Sequence, residues 1–240
     1  MVDLLRRAWW SLLIAERQVI GTRGIVDARL PCSDSLGAWC HRCGATLRTA
    51  PSCRVVLATP AHSCPRCAGV LLNRSATVRL GEHIDELREA ILAIKHGGDR
   101  ELARRIGRAL GEQYSRCDHA GEAIVVPVPM PFARRIERKI DHACAIAHAF
   151  ADATSLKVAR ILTQASGPPQ ALLSAHERRM RTDRIRLKRS RSTLPAGATV
   201  VLIDDVLTTG ATIEQAARVL RQECGCRRVI AAVASVARTV

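Results

Sequence analysis

The sequence contains very few aromatic side chains: three Trp, two Phe and one Tyr among 240 residues. Its hydrophobic fraction is nevertheless 48%, so the core must consist mainly of Ala, Val, Leu and Ile. Such residues are typical of a buried parallel sheet covered by helices. The shortage of aromatics also argues against a surface that stacks the bases of single-stranded nucleic acid.

Acidic residues are also scarce, since 22 Asp plus Glu stand against 37 Lys plus Arg, for a formal net charge of +15. Such a surface attracts phosphates on a metabolite, a nucleic acid or an anionic membrane, although a GC-rich genome would also enrich Arg codons. No apolar run approaches the roughly 20 residues that a bilayer span needs. The apolar run at 8–15 lacks a small-residue cleavage site after it. We therefore expect a cytoplasmic protein without a membrane span.

The chain divides by composition into three segments. Residues 1–27 are expected to form a helical segment that packs on the rest of the protein. Residues 28–75 hold six of the ten cysteines and show little helical periodicity, which indicates a small zinc-finger-like module. Residues 80–240 alternate predicted strands and helices. This alternation predicts an α/β fold, with a parallel sheet flanked by helices and right-handed crossovers.

The periodicity also predicts the individual elements. Helices are expected at 84–94, 100–114, 141–153 and 212–223, and strands at 123–129, 156–162, 199–203 and 228–237. Residues 163–198 show no strand pattern and include a basic stretch, Arg178–Arg191. We expect this part to be a mobile, positively charged excursion with a short helix that overhangs the ligand site. It would act as a lid or contact nucleic acid, unless it is merely a solvated loop.

The most informative segment is 200–212, Val-Val-Leu-Ile-Asp-Asp-Val-Leu-Thr-Thr-Gly-Ala-Thr. Its apolar start predicts a buried strand, which places Asp204 and Asp205 at the carboxyl end, where ligands bind in open α/β sheets. A small turn then leads into a helix, so backbone amides and a helix N-terminus converge on an anion site. Single Asp and Thr residues are common caps and turn formers, but that does not explain the ordered set. The residues of the turn are Thr208, Thr209, Gly210, Ala211 and Thr212.

This segment resembles the motif by which phosphoribosyltransferases bind phosphoribosyl pyrophosphate (PRPP). The resemblance implies that Asp204 and Asp205 contact the ribose hydroxyls, directly or through Mg²⁺, and that the turn wraps the 5-phosphate. The departing pyrophosphate needs nearby cations. Three arginines after the Pro127–Pro129 turn are best placed for this: Arg134, Arg135 and Arg138.

Two Cys-x-x-Cys pairs, Cys40–Cys43 and Cys64–Cys67, are separated by twenty residues. Four thiolates in this arrangement suit a tetrahedral structural Zn²⁺. A cytoplasmic setting disfavours disulfides, and the absence of a neighbouring βαβ unit disfavours a redox role. Four other residues remain alternatives for one ligand: Cys32, Cys53, His41 and His62.

The two modules together resemble the ComF family of bacterial proteins, and further segments support this at Ala93–Asp99, Val126–Pro129 and Gln170–Arg178. Arg138-Lys-Ile stands where that family has Arg-Gly-Phe. The resemblance implies a four-cysteine zinc finger joined to a phosphoribosyltransferase domain. It also implies a role in natural transformation, with single-stranded DNA and proteins of the competence machinery as partners.

The sequence therefore supports two alternative functions. The first is a Mg²⁺-dependent phosphoribosyltransferase that binds PRPP, or another ribose 5-phosphate ligand, and an unidentified acceptor. The second is a non-enzymatic protein that uses the same fold as a scaffold or to bind single-stranded DNA. No base-recognition element is predicted, because aromatic residues are nearly absent.

Overall fold

The computed structural model describes residues 39–47, 64–117, 121–138, 140–165, 184–188 and 194–237. Seven strands are formed in these residues: β1 (Ala76–Glu82), β2 (Ile124–Pro127), β3 (Lys157–Val158), β4 (Leu162–Gln164), β5 (Ile185–Leu187), β6 (Thr199–Leu207) and β7 (Arg228–Val236). Five of them build one sheet in the order β1-β7-β6-β2-β3, and every pairing in it is parallel. The other two, β4 and β5, form an antiparallel pair.

Within the described ranges, five α-helices connect these strands: α1 (Asp85–Leu92), α2 (Arg100–Ser115), α3 (Phe132–Arg138), α4 (His142–Thr154) and α5 (Ala211–Cys224). A π-helical turn, Ala93–Gly97, continues α1 toward α2. Asp99 caps α2, because its side chain accepts a hydrogen bond from the backbone of Leu102 at 2.9 Å. Asp141 caps α4 in the same way, with Cys144 as the donor at 3.2 Å.

The sheet lies between two layers. Helices α1, α2 and α4 cover one face, and α5 covers the other together with β4 and β5. Helices α2 and α4 approach very closely where α2 has glycines: a Cβ on Gly107 would lie 2.5 Å from the carbonyl oxygen of Ile146. These aliphatic layers confirm the predicted α/β fold with a parallel sheet flanked by helices.

The predicted helices and the strands at β2, β6 and β7 are confirmed, but three details were wrong. The predicted strand 156–162 is broken after Val158, and its last residue begins β4. Residues 163–198 do contain a strand, β5, although none was predicted. Strand β6 continues to Leu207, four residues beyond the predicted end. Strand β1 and helix α3 were not predicted.

Several predictions fall on residues that the structure does not describe. They include the helical segment 1–27, the alternative ligands Cys32, Cys53 and His62, and most of the basic stretch Arg178–Arg191. Among the described residues, no helix has the length and apolar character that a membrane crossing requires.

Candidate functional site

The order of the strands locates the site. Strand β2 pairs with β6 only as far as Pro127 and Ile203, whereas β6 continues beside β7 to Leu207. The chain leaves β2 toward β3 and leaves β6 toward β7, so the direction of winding changes between β2 and β6. Ligands of open α/β sheets bind outside the carboxyl ends of the strands at such a switch point.

The two predicted acids lie at this point. Asp205 is buried, and its Oδ2 lies 2.6 Å from Nε2 of His142 and 3.0 Å from Nζ of Lys95. Asp204 is partly exposed, and its Oδ1 accepts a hydrogen bond from the backbone N–H of Asp205 at 2.9 Å. The pair is therefore asymmetric, because the buried Asp205 contacts both Lys95 and His142, whereas Asp204 is partly exposed.

This asymmetry separates the two pKa values. Burial alone would raise the pKa of Asp205, but the hydrogen bond from His142 and the charge of Lys95 lower it to about 2. Desolvation, together with the negative charge of Asp205, raises the pKa of Asp204 to about 8. Asp205 is therefore the acid of the pair that ionises first, and Asp204 keeps its proton to a higher pH.

The predicted phosphate turn follows β6 directly. Gly210 has φ +81°, a left-handed conformation that favours glycine, and it is the N-cap of α5. Thr208, Thr209, Ala211 and Thr212 are all exposed. The first backbone N–H groups of α5 have no partners within the helix and sit at its positive end. A helix N-terminus of this kind can bind an anion such as phosphate.

A buried arginine supports the turn from inside the protein. Arg74 forms an ion pair with Glu214 in the first turn of α5, with the two side chains 5% and 20% exposed. A Cβ added to Gly210 would lie 3.4 Å from Nη1 of the same arginine. Arg74 also donates from Nη2 to the carbonyl oxygen of Cys43 at 3.1 Å. It therefore connects the turn to the cysteine-rich part of the chain.

The structure brings the four predicted zinc ligands together. The sulfur atoms of Cys40 and Cys67 are 3.8 Å apart, and those of Cys43 and Cys64 are 3.6 Å apart. All four sulfurs lie within 4.8 Å of one another. Four sulfurs at about 2.3 Å from a tetrahedral Zn²⁺ would be about 3.8 Å apart, so the cluster has the right size and donor set for this ion.

The predicted pyrophosphate-side arginines lie on α3. Arg134 is exposed and Arg138 is half-buried. Neither of them lines a cavity of about 300 Å³ that lies where β2 ends. Arg135 does line that cavity. Arg138 lies instead near the π-helical turn, where desolvation and the charge of Arg138 lower the pKa of His96.

No role was predicted from the sequence for Lys95, His142 or Arg74. Lys95 lies within Ala93–Asp99, a segment that resembles the ComF family, and this resemblance was the available signal for it. Their partners are distant in sequence, since Lys95 and His142 both reach Asp205 from other elements. Arg74 had no signal, because nothing local to it indicates a buried ion pair with a residue 140 positions away.

Three solved structures illustrate what the chain resembles. The glutamine PRPP amidotransferase of Bacillus subtilis shows 19% identity and a TM-score of 0.39, over 55% of this chain and 25% of that one. The adenine phosphoribosyltransferase of Trypanosoma brucei shows 16% identity and a TM-score of 0.37, over 68% and 71%. A hypoxanthine phosphoribosyltransferase of Staphylococcus aureus shows 15% identity and a TM-score of 0.34, over 56% and 62%. The chain thus spans about a quarter of the length of the amidotransferase.

No curated protein sequence matches the chain significantly. The model of the phosphoribosyl transferase domain family, however, matches residues 99–238, more than half of the chain. The matched range includes β2, the acid pair, the phosphate turn and β7. The chain therefore belongs to the phosphoribosyl transferase domain family.

Proposed function

We propose that the protein is a phosphoribosyltransferase that binds PRPP with Mg²⁺ at the switch point between β2 and β6. The observation that carries this proposal is the asymmetric acid pair directly before a glycine-capped helix N-terminus. The end of β6 and the start of α5 thus provide, in one short segment, carboxylates for a ribose and backbone N–H donors for its 5-phosphate.

The residues take separate roles in this proposal. The turn Thr208–Thr212 holds the 5-phosphate through backbone N–H groups and threonine hydroxyls. Asp204 accepts hydrogen bonds from the ribose hydroxyls, and Asp205 stays fixed by Lys95 and His142 beneath it. The acid pair also offers the oxygen ligands that Mg²⁺ prefers, and bound Mg²⁺ would offset the charge of the pyrophosphate.

The transfer itself exchanges one bond for another. A nucleophilic atom of the acceptor bonds to C1 of the ribose while the bond from C1 to the pyrophosphate oxygen breaks. Pyrophosphate leaves with the electron pair, and any proton on the attacking atom passes to water. Positive charge that develops on the sugar is stabilised by the nearby carboxylates, and cations near the departing pyrophosphate would offset its negative charge.

A matched pair of glycine variants tests this proposal. Gly210 and Gly225 cap the two ends of α5, and both have positive φ, +81° and +67°. Alanine at either position should destabilise the protein by about 1 kcal/mol through the same backbone strain. Only Gly210→Ala should also weaken PRPP·Mg²⁺ binding in calorimetry, by at least about tenfold, because it alone alters the phosphate turn. Wild-type protein that does not bind PRPP, or equal PRPP affinity in both variants, would refute the proposal.

The resemblance to the ComF family supports a narrower role, in which this transferase serves DNA uptake during natural transformation. A second candidate is a non-enzymatic protein that binds single-stranded DNA. It is favoured by a groove of about 610 Å³ between α2 and α4, which Arg100, Arg104 and Arg108 line from successive turns of α2. Phosphates would bind there through arginine with strong salt dependence.

Fluorescence titration with a labelled single-stranded oligonucleotide tests the DNA-binding role. Replacing Arg100, Arg104 and Arg108 by Gln should weaken binding several-fold and flatten its dependence on salt. The same triple variant should bind PRPP normally, since these arginines lie outside the phosphate turn. An unchanged salt slope would exclude the groove as the DNA contact.

A further inference from the structure

Lys95 lies in the π-helical turn Ala93–Gly97, which ends at Gly98 in a left-handed conformation with φ +67°. Ile94 fixes this turn, because its side chain is buried in the core that α1, α2 and α4 form with the sheet. Lys95 itself lies against the site, with its Nζ 3.0 Å from Oδ2 of Asp205. Single turns of this kind are rare and occur frequently at functional sites. The backbone thus places a positive charge directly on one member of the acid pair.

This contact differs from an ordinary surface ion pair in two respects. Oδ2 of Asp205 is shared, since Nε2 of His142 also lies 2.6 Å from it. The side chain of Asp205 is 9% exposed and that of Lys95 is 18% exposed, so water weakens the attraction less than it would at the surface. Among the described residues, Asp205 is the sole acid that forms an ion pair with Lys95. The two charges therefore cancel within the protein.

The ammonium group of Lys95 also occupies the place of a divalent cation. A cation that bound Oδ2 of Asp205 would have to displace the ammonium group or lie next to it, and two positive centres so close together repel each other. Neighbouring charges add to this repulsion. Desolvation and the positive charges of Lys95 and Arg88 lower the pKa of His83, which directly follows β1. Asp205 therefore attracts a free divalent cation only weakly.

We propose that Lys95 is a built-in counterion that keeps free Mg²⁺ away from Asp205 and admits the metal only together with an anionic ribose phosphate ligand. The inference rests on the proposed function and concerns how that site selects its ligand. PRPP carries a phosphate and a pyrophosphate, and their negative charges offset those of Lys95 and of the metal together. Free Mg²⁺ brings no such charges. Lys95 therefore makes the site select the complex of PRPP with its metal over the metal alone.

The test measures the metal affinity of the full-length protein in the absence of PRPP. Mn²⁺ replaces Mg²⁺ as the probe, because it favours the same oxygen ligands and its free concentration can be followed by electron paramagnetic resonance. Thiolates favour zinc instead, so the four-cysteine cluster does not compete for Mn²⁺. Lys95→Met should bind Mn²⁺ at least about tenfold more tightly than the wild type, because the Asp205 carboxylate then lacks its cation.

Arg88→Met is the matched control. It also removes one positive charge from the helical segment that carries Lys95, but Arg88 is exposed, and the described ion pairs of Asp205 are those with Lys95 and His142. The Mn²⁺ affinity of this variant should equal that of the wild type. The double variant Lys95→Met/Asp205→Asn should lose the gain in affinity, because it lacks the carboxylate that Lys95→Met makes available.

A second substitution is needed because removing the partner of a buried carboxylate destabilises a fold. Lys95→Gln removes the charge but keeps a hydrogen-bond donor for Oδ2 of Asp205. It should show the same tighter binding of Mn²⁺. Thermal unfolding adds an independent measurement. Mn²⁺ without PRPP should raise the melting temperature of each folded Lys95 variant and leave that of the wild type unchanged.

Equal Mn²⁺ affinities in the wild type and the folded Lys95 variants would show that Lys95 is a structural partner only, and would overturn this inference alone. Wild-type protein that binds Mn²⁺ as tightly without PRPP as with it would do the same. The measurement with PRPP is corrected for the Mn²⁺ that PRPP binds without protein. PRPP binding is also measured by calorimetry with Mg²⁺, and a wild type that does not bind PRPP would overturn the proposed function together with this inference. We expect weak Mn²⁺ binding by the wild type, and tight binding once PRPP is added or Lys95 is replaced.

Discussion

Arg74 and Glu214 form a buried ion pair although they lie 140 positions apart in the chain. Glu214 belongs to the first turn of α5, directly after the phosphate turn, and Arg74 also donates to the carbonyl oxygen of Cys43. One guanidinium therefore connects the four-cysteine cluster to the helix that follows the phosphate turn. The shape of the phosphate turn depends on a contact outside the turn itself.

Arg74→Met should destabilise the fold by about 3 kcal/mol, because it leaves the Glu214 carboxylate without its buried partner. The unpaired charge near the phosphate turn should also weaken PRPP binding by about tenfold. Urea unfolding and calorimetry measure the two effects. The double variant Arg74→Met/Glu214→Leu is the control and should recover most of the stability. Wild-type values for Arg74→Met would show that the pair supports neither the fold nor the site.

The four-cysteine cluster should hold about one equivalent of zinc in the purified protein. Cys40→Ser should lose the metal, because a neutral hydroxyl replaces a thiolate ligand, whereas Cys224→Ser, at the end of α5, should keep it. Metal loss should also weaken PRPP binding, since Arg74 contacts the backbone of Cys43. Elemental analysis measures the first effect and calorimetry the second. Zinc retained in Cys40→Ser would mean that another residue is the ligand.

Gly107→Ala should destabilise the protein by about 2 kcal/mol, although alanine is the better helix former. The new methyl group would lie 2.5 Å from the carbonyl oxygen of Ile146 and 2.7 Å from Cβ of Ala149, so α2 and α4 would have to move apart. Gly97→Ala is the control, because nothing lies within 4 Å of a Cβ there. Urea unfolding of both variants measures the difference. Equal stabilities would mean that the helices adjust to the added group at little cost.

The phosphate turn could be predicted because all of its information is local. A strand, two acids and a small hydroxyl-rich turn follow one another in sequence, and each is recognisable by residue type. Strand β1 is harder to recognise, because Thr77 and Arg79 alternate with apolar residues as in a half-exposed strand, whereas both faces of β1 are buried. In the structure Arg79 is fully buried, donates to the carbonyl oxygen of Gly44 at 2.9 Å and lies over the ring of Trp39.

Strand β5 and the partners of Asp205 were also difficult to predict from local sequence. Strand β5 is three residues long and alternates buried Ile185, exposed Arg186 and half-buried Leu187, so its pattern is lost within a basic stretch. Asp205 contacts Lys95 and His142, which are both distant from it in sequence. Lys95 lies in the π-helical turn, and His142 is the first residue of α4. Sequence patterns predict the elements that carry a site, whereas tertiary contacts decide which side chains meet there.

The acid pair also makes ligand binding depend on pH. Desolvation and the negative charge of Asp205 raise the pKa of Asp204 to about 8, well above the value of a free Asp. A ribose that donates hydrogen bonds to Asp204 favours the ionised carboxylate. Binding should therefore release a proton, and the affinity should rise as the pH rises toward the pKa of Asp204.

Ribose 5-phosphate without Mg²⁺ is the ligand that isolates this effect, because no metal then competes for the carboxylates. Between about pH 6.5 and about pH 8 its affinity should rise by up to about tenfold per pH unit. The 5-phosphate contributes little over this range, since its second pKa is about 6. Calorimetry in buffers with different ionisation enthalpies counts the released proton directly. Asp204→Asn should bind more weakly and lose the pH dependence, whereas an unchanged slope in that variant would assign the proton to another group.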